Sequence, residues 1–257
     1  MVTVALLAAS LGLVSLQALL GPPKPVLSYS EVRERYRSSS ARLLDREGKL
    51  LHEIREDERS RRLDWLPLAE ISPALIQACV HSEDRRVREH EGVDWRALAS
   101  ALHQTLVKSR ARGASTISMQ LASLLHPDLR SRTRRRSLSQ KWKQILTAYG
   151  IEGRWSKTEI LEAYLNLVSF RGELQGISAA SQGLFGKAAH GLTANESLLL
   201  ACLICAPNAS KADLLRRARQ LAGLVSWKTT EEGLQKAVKK AVEGTTTFGR
   251  RLMSLPT

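Results

Sequence analysis

The chain has 257 residues, long enough to bury a hydrophobic core in one globular domain with an anchor or a tail. Its 43% hydrophobic and 5% aromatic residues, with few Gly and Pro, favour a helical globular protein and exclude disordered and fibrous classes. The net charge of +14 predicts a polyanionic partner, and charge alone leaves nucleic acid, an anionic membrane surface and a phosphorylated substrate open. A basic surface that serves only solubility is the alternative.

The first 22 residues contain no charged side chain and are mostly apolar. As a helix, this apolar run would be roughly 30 Å long, which is the thickness of a bilayer core. We therefore predict a transmembrane anchor at residues 1–22. A cleaved signal peptide is the alternative, but the run is long for one and Ala18 to Gly21 make only a weak cleavage site.

The segment at residues 23–65 is predicted as a linker and a short β-hairpin that turns at Glu47-Gly48. After it, the spacing of apolar residues and the cap residues predict a series of helices. Their predicted starts are Ser72-Pro73, Asp94, Thr116 and Lys141, followed by the capping boxes Ser156 with Glu159 and Thr193 with Glu196. The pattern indicates a mainly α domain at residues 66–210 and a helical tail at residues 211–257.

The three cysteines, Cys79, Cys202 and Cys205, are too few for a disulfide framework. Cys202 and Cys205 form a C-x-x-C pattern within the apolar run LLLACLICAP, and we interpret them as two small core residues on one helix face. Redox or metal chemistry is the alternative, but no second cysteine pair and no histidine cluster accompany the pattern.

Glu83 is the first candidate for chemistry. It follows Cys79 by four residues and Leu75 by eight, so a carboxylate continues an apolar row toward the end of a helix. Partial loss of hydration raises the proton affinity of a carboxylate, as general acid or base catalysis near neutral pH requires. Asp84 continues the neighbouring row equally well, so periodicity does not choose between them. An ion pair with nearby arginines on a solvated helix end is the alternative.

Ser115 and Thr116 follow a glycine at a predicted helix start, where backbone amides and hydroxyls suit an anionic oxygen. Helix capping explains these two residues equally well. The basic segment that follows includes Arg136, Lys141 and Lys143. Because a guanidinium grips phosphate with two parallel hydrogen bonds, the segment is a candidate phosphate site. A solvated basic helix face is the alternative.

Several segments resemble, in chain order, the five signature regions of family 51 glycosyltransferases, the peptidoglycan glycosyltransferase domains of class A penicillin-binding proteins. They are SEDRRVREHEGVDW, RGASTISMQLASLL, QKWKQILTAYGIE, SKTEILEAYLN, and ISAASQGLFGK with LTANESLLLACLICAP. The resemblance covers about residues 42–208 and is nearest to the 1C type. The chain has no Ser-x-x-Lys or Lys-Thr-Gly pattern, the signatures of a penicillin-reactive transpeptidase domain. It therefore resembles either a monofunctional transglycosylase or the front portion of a 1C-type protein without its second domain.

The resemblance implies a mainly α, lysozyme-like glycosyltransferase domain on the periplasmic or outer face of the bacterial cytoplasmic membrane, with a single-pass N-terminal transmembrane helix. Such an enzyme polymerises lipid II into glycan strands and releases undecaprenyl pyrophosphate. Glu83 would be the catalytic base that deprotonates the acceptor 4-hydroxyl. The substrate-binding positions carried over by motif are Asp84, His90, Gly92, Ser115, Thr116, Gln120, Arg136, Lys141 and Lys143.

The expected partners are lipid II, the growing glycan strand, the membrane, and transpeptidases or other cell-wall synthases. Nucleic acid is not expected, because no nucleic-acid module is recognisable. The chemistry and the family favour Mg²⁺ or Mn²⁺ at the substrate pyrophosphate, with no organic cofactor and no metal held by the protein alone.

Four positions depart from the family pattern. Val87 stands where a Phe is usual, Ser123 stands where a cation follows Gln-Leu-Ala, and Gln140 and Gln144 replace the Arg and the Glu of the third motif. These departures keep a second hypothesis open, a degenerate homologue that binds lipid II or scaffolds synthases without catalysis. A lytic glycosidase that cleaves finished glycan is a third.

Overall fold

A computed structural model describes residues 22–47, 50–57, 60–108, 115–130 and 137–251. These residues are mainly helical, as the sequence predicts. The helices are α1 Tyr29–Arg35, α2 Pro73–Glu83, α3 Trp95–Lys108, α4 Ile117–Leu125, α5 Leu138–Glu152, α6 Lys157–Leu167, α7 Ile177–Phe185, α8 Ala194–Cys205, α9 Lys211–Leu224 and α10 Glu231–Arg251. The strands β1 Ser40–Leu44 and β2 Leu50–Arg55 pair antiparallel, which confirms the predicted hairpin.

The chain divides into two compact units. The first unit comprises Met1–Ser28 and Val87–Ile160, and the second comprises Tyr29–Arg86 and Leu161–Thr257. The first unit therefore contains α3, α4 and α5. The second contains the hairpin, α2 and the helices from α7 onward. The segment boundaries predicted from the sequence at residues 22, 65 and 210 stay a prediction.

In the first unit, α4 packs against α5. Val93, Met119, Ile145 and Ala148 form a buried apolar cluster there, because apolar residues at helical spacing place their side chains on the facing sides. The segment before α1 lies along α5: the backbone N–H of Lys24 donates to Thr147 Oγ1 over 3.1 Å. Part of the predicted linker is thereby ordered on this unit.

In the second unit, α2 packs on α8, and the tail helices α9 and α10 pack on α8 as well. Helix α10 also lies against α7, where Gly244 is needed: a Cβ there would be 2.6 Å from the carbonyl oxygen of Leu184. Residues 211–251 of the segment predicted as a helical tail therefore form two helices, and their buried apolar residues belong to the hydrophobic core of this unit.

Glu162, a buried carboxylate on α6, anchors the chain that leads into α2. It accepts hydrogen bonds from Trp65 Nε1 over 2.7 Å, from the backbone N–H of Leu68 over 2.7 Å, and from the Tyr29 hydroxyl. Three donors satisfy an anion that would otherwise be expensive to bury. This network orders the segment immediately before the helix that carries Glu83.

Most predicted helix starts are confirmed. Pro73 is the first residue of α2, and Thr116 caps α4 by accepting from the backbone N–H of Met119. Asp94 caps α3 by accepting from the backbone N–H of Ala97 over 2.8 Å. Both capping boxes, Ser156 with Glu159 and Thr193 with Glu196, are present.

Two boundaries differ from the prediction. Helix α5 begins at Leu138 rather than at Lys141, because Ser137 and Gln140 form a capping box that extends it by a turn. A short helix, α1, lies within the predicted linker, with Val32 buried on its inner face.

Among residues 22–251, with the gaps noted above, no helix is both long and apolar enough to cross a membrane. The predicted anchor at residues 1–22 lies outside the described residues except for Pro22.

Candidate active site

Glu83 ends α2 in the second unit and is partly exposed. Its carboxylate accepts a hydrogen bond from the thiol of Cys205, the last residue of α8. The hydroxyl oxygen of Ser82 lies 3.5 Å from Glu83 Oε1 and 3.5 Å from Cys205 Sγ. Because α2 packs on α8, the carboxyl ends of these two helices bring the three side chains together.

Asp84 and Tyr164 complete the surroundings of Glu83. Asp84 is 7% exposed and follows the last turn of α2, where its backbone N–H donates to the Val80 carbonyl over 2.9 Å. Tyr164 on α6 is fully buried, and burial, followed by the negative charge of Glu83, raises the pKa of its phenol well above the usual value. Tyr164 therefore stays neutral. Sequence reasoning missed it, since a tyrosine on an apolar helix face is typical of a core.

The three thiols differ in location. Cys79 and Cys202 are buried, which confirms the core interpretation for Cys202. For Cys205 that interpretation is wrong: the residue is exposed, because it ends α8 beyond the packed part of the helix. Surrounding protein atoms still limit hydration of its thiol, and this burial, followed by the Glu83 charge, raises the pKa of Cys205 to about 12. The thiol is therefore protonated at neutral pH and can donate a hydrogen bond.

In the first unit, Lys141 lies beside Ser115. Lys141 Nζ donates to Ser115 Oγ over 2.9 Å and to Gln144 Oε1 over 3.1 Å. Thr116 is 2% exposed, and its hydroxyl donates to the Gly92 carbonyl over 2.5 Å. Ser115 and Lys141 thus form a partly exposed polar pair, whereas Thr116 serves the fold.

His90 and Gly92 lie in the loop between α2 and α3. The backbone N–H of Gly92 donates to His90 Nδ1 over 3.2 Å, and Lys157 Nζ donates to the His90 carbonyl over 2.6 Å. Lys157 is also paired with Glu152 at 2.7 Å. These contacts order the loop on α5 and α6.

The remaining predicted binding residues are Gln120, Lys143 and Arg136. Gln120 and Lys143 are partly exposed on α4 and α5. Arg136 lies outside the described residues. Within the described part of the chain, no group of three or more His, Cys, Asp or Glu side chains is arranged to hold a metal ion.

The sequence profile of a family described as Transglycosylase matches residues 47–228. The chain belongs to the transglycosylase family. A biosynthetic peptidoglycan transglycosylase of Mannheimia succiniciproducens is 37% identical over 181 residues, which are 68% of this chain and 71% of that protein. Proteins of the same name from Rhodospirillum centenum and Aeromonas hydrophila are 40% identical over 145 and 144 residues, 56% of this chain and 60% and 59% of theirs.

Membership of this family makes the chain a glycosyltransferase. The similar proteins are bacterial and are named for the biosynthesis of peptidoglycan, which fits a location in the cell envelope.

Two departures of this transglycosylase from the family pattern contact each other. Gln144 is fully buried, and its Nε2 donates to Ser123 Oγ over 2.7 Å and to the Met119 carbonyl over 2.7 Å. A hydroxyl and an amide thus stand where the pattern has a cation and a carboxylate. Since both replacements are neutral and hydrogen-bonded, neither leaves an unpaired buried charge. The two departures are therefore one local exchange of charged groups for neutral ones.

Val87, which stands where the family pattern has a Phe, is packed in the protein interior. The side chain is 1% exposed and belongs to the core of the first unit. A smaller apolar group has taken the place of the usual ring, and it remains packed.

The contact between Cys205 and Glu83 can be tested without an activity assay. Glu83→Gln removes the charge that helps to raise the thiol pKa, so we expect the pKa to fall and the thiolate fraction to rise. Alkylation of Cys205 by iodoacetamide at about pH 8.5, followed by peptide mass spectrometry, should be about threefold or more faster in Glu83→Gln.

The matched control for the alkylation test is Glu89→Gln, the same change at an exposed carboxylate. Equal alkylation rates in the wild type and Glu83→Gln would contradict the contact.

Proposed function

We propose that the chain is a peptidoglycan glycosyltransferase that polymerises lipid II into glycan strands and releases undecaprenyl pyrophosphate. The observation that carries the proposal is the state of Glu83: a partly exposed carboxylate at a helix end, held by a thiol, within the residues matched by the family. Such a group is accessible to substrate and has a fixed orientation, as a general base requires.

In the proposed reaction, Glu83 accepts the proton of the acceptor sugar 4-hydroxyl and becomes a neutral carboxylic acid. The acceptor oxygen attacks the anomeric carbon of the donor, and the bond from that carbon to the pyrophosphate oxygen breaks with inversion. The leaving pyrophosphate keeps the bonding electron pair. Its growing negative charge needs nearby positive charge, which lowers the energy of the transition state.

Lys141, with Ser115, is the group that we assign to the pyrophosphate. The ammonium group is already oriented by two neutral oxygen acceptors, so a phosphate oxygen can join or replace them without a change of backbone. Lys143 and Arg136 are assigned to the same role on the family resemblance. The net charge of +14 supports an anionic substrate.

A divalent ion is proposed only as a companion of the pyrophosphate. Mg²⁺ bound to phosphates needs no more than about one or two protein carboxylates, so a dedicated three-ligand cluster is unnecessary. The ion would neutralise part of the leaving-group charge.

The location and partners follow from the same proposal. A lipid-linked donor requires the enzyme to work at a bilayer surface. On the family resemblance, we propose a lysozyme-like domain at the outer face of the bacterial cytoplasmic membrane, held there by the predicted anchor at residues 1–22. Lipid II and the growing glycan strand are the proposed substrates, and transpeptidases or other cell-wall synthases are the proposed protein partners.

The test is polymerisation of fluorescent lipid II in detergent by the full chain, with the products separated as glycan ladders on a gel. We expect ladders that depend on enzyme concentration. Retained lipid II binding without ladders would replace the proposal with the scaffold hypothesis, which the departures at Ser123 and Gln144 keep open. Soluble fragments from preformed glycan would indicate the lytic glycosidase.

A further inference from the structure

The thiol of Cys205 has no role in the reaction as written, yet it donates a hydrogen bond to the proposed base. Cys79 and Cys202 differ from it, because they are buried and their packing explains their presence. Cys205 is exposed, lies at the end of α8, and shares Ser82 as a neighbour with Glu83. Packing alone does not account for a thiol at this position.

We propose that Cys205 is a positioning residue that holds the Glu83 carboxylate in one orientation for proton transfer. The inference rests on the proposed function, since it assigns Glu83 to the acceptor hydroxyl. A hydrogen bond donated to a carboxylate favours the charged form over the neutral one. It also restricts a side chain that otherwise rotates at a helix end, and small errors in the position of a base reduce the rate strongly.

Several ionisable groups lie around Glu83 and Cys205. The ionisable groups near Glu83 or Cys205 include Cys79 and Asp84 at α2, Tyr164 on α6, Cys202 on α8 and Arg217 on α9. Burial, followed by the Glu83 charge, raises the pKa of the Cys205 thiol to about 12, so the thiol keeps its proton at neutral pH and can donate to Glu83 there.

The experiment compares Cys205→Ala, which removes the donor, with Cys205→Ser, which keeps one. Initial rates of lipid II polymerisation by the full chain are measured as a function of pH, at a saturating and at a low concentration of lipid II. For Cys205→Ala we expect the acid limb of the rate profile to move to higher pH by about half a unit to one unit. We also expect kcat near neutral pH to fall about 3- to 10-fold with little change in KM. Cys205→Ser should stay near the wild type in both.

Cys202→Ala is the matched control, the same change one turn earlier on α8 at a buried thiol, and its acid limb should coincide with that of the wild type. A Cys205→Ala profile that coincides with the wild type would overturn the inference and leave the proposed function intact. An equal loss in the Ser and Ala variants, without a shift of the limb, would assign Cys205 to packing instead. Absence of ladders from the wild type would overturn both.

Discussion

Replacement of Glu83 by Gln is expected to lower the rate of lipid II polymerisation by about 10²- to 10⁴-fold, the contribution of a general base. Gln has nearly the same size as Glu, and its amide oxygen can still accept from the Cys205 thiol, so the local packing is retained. The amide cannot take a proton from the acceptor hydroxyl. The loss should therefore appear in kcat, while the affinity for lipid II changes little.

The control for this result is Glu89→Gln, which removes a negative charge at an exposed position six residues later and should keep its activity within about twofold. Thermal unfolding of both variants checks that neither change disturbs the fold. Ladders from Glu83→Gln at a rate within about threefold of the wild type would contradict the assignment of the base.

Replacement of Gly92 by Ala is expected to lower the free energy of unfolding by about 2–4 kcal/mol, for two reasons. Gly92 has φ = +97°, a conformation that residues with a Cβ rarely adopt. In addition, the new Cβ would be 3.0 Å from the carbonyl oxygen and 3.1 Å from the carbonyl carbon of Ala148, which are backbone atoms of α5 and cannot turn aside. The loop that carries His90 would have to move away from this helix.

Urea unfolding of the full chain measures the effect of Gly92→Ala. Gly223→Ala is the matched control: a Cβ at Gly223, in helix α9, meets no atom within 4 Å. Alanine there should be neutral or stabilising by up to about 1 kcal/mol, since Gly is the poorer helix former. Equal stability of the two variants would show that the loop can relax, and would contradict a required glycine at position 92.

Local sequence signals account for much of the helical fold. The capping residues Thr116 and Thr193 mark true helix starts, because a cap acts within three or four residues of itself. The same reasoning missed the capping box of Ser137 and Gln140, which lies next to a basic segment with no apolar periodicity. Helix α1 was missed for a related reason: one buried residue, Val32, is too little to establish a period.

The candidate site was predictable only in part. Glu83 and Asp84 could be selected from the motif, and Ser115 with Lys141 from the resemblance, but periodicity alone left an ion pair at a solvated helix end as an alternative to catalysis. Tyr164 gave no signal of its own, since its place on an apolar helix face is equally typical of a core residue. Its position near two carboxylates depends on how α6 packs within the second unit.

The sequence by itself determined the family and the predominance of helices, because each motif and each helix cap is formed by residues that are close together in the sequence. Only the tertiary structure decided which distant residues meet. Cys205 contacts Glu83 across 122 positions, and Gln144 contacts Ser123 across 21. Such contacts depend on the packing of α8 on α2 and of α5 on α4. The apolar pattern of the sequence shows that each helix buries one face, but it does not specify which polar groups meet at the edges of the packed faces. The thiol beside the proposed base and the neutral pair in place of a charged one are therefore properties of the fold.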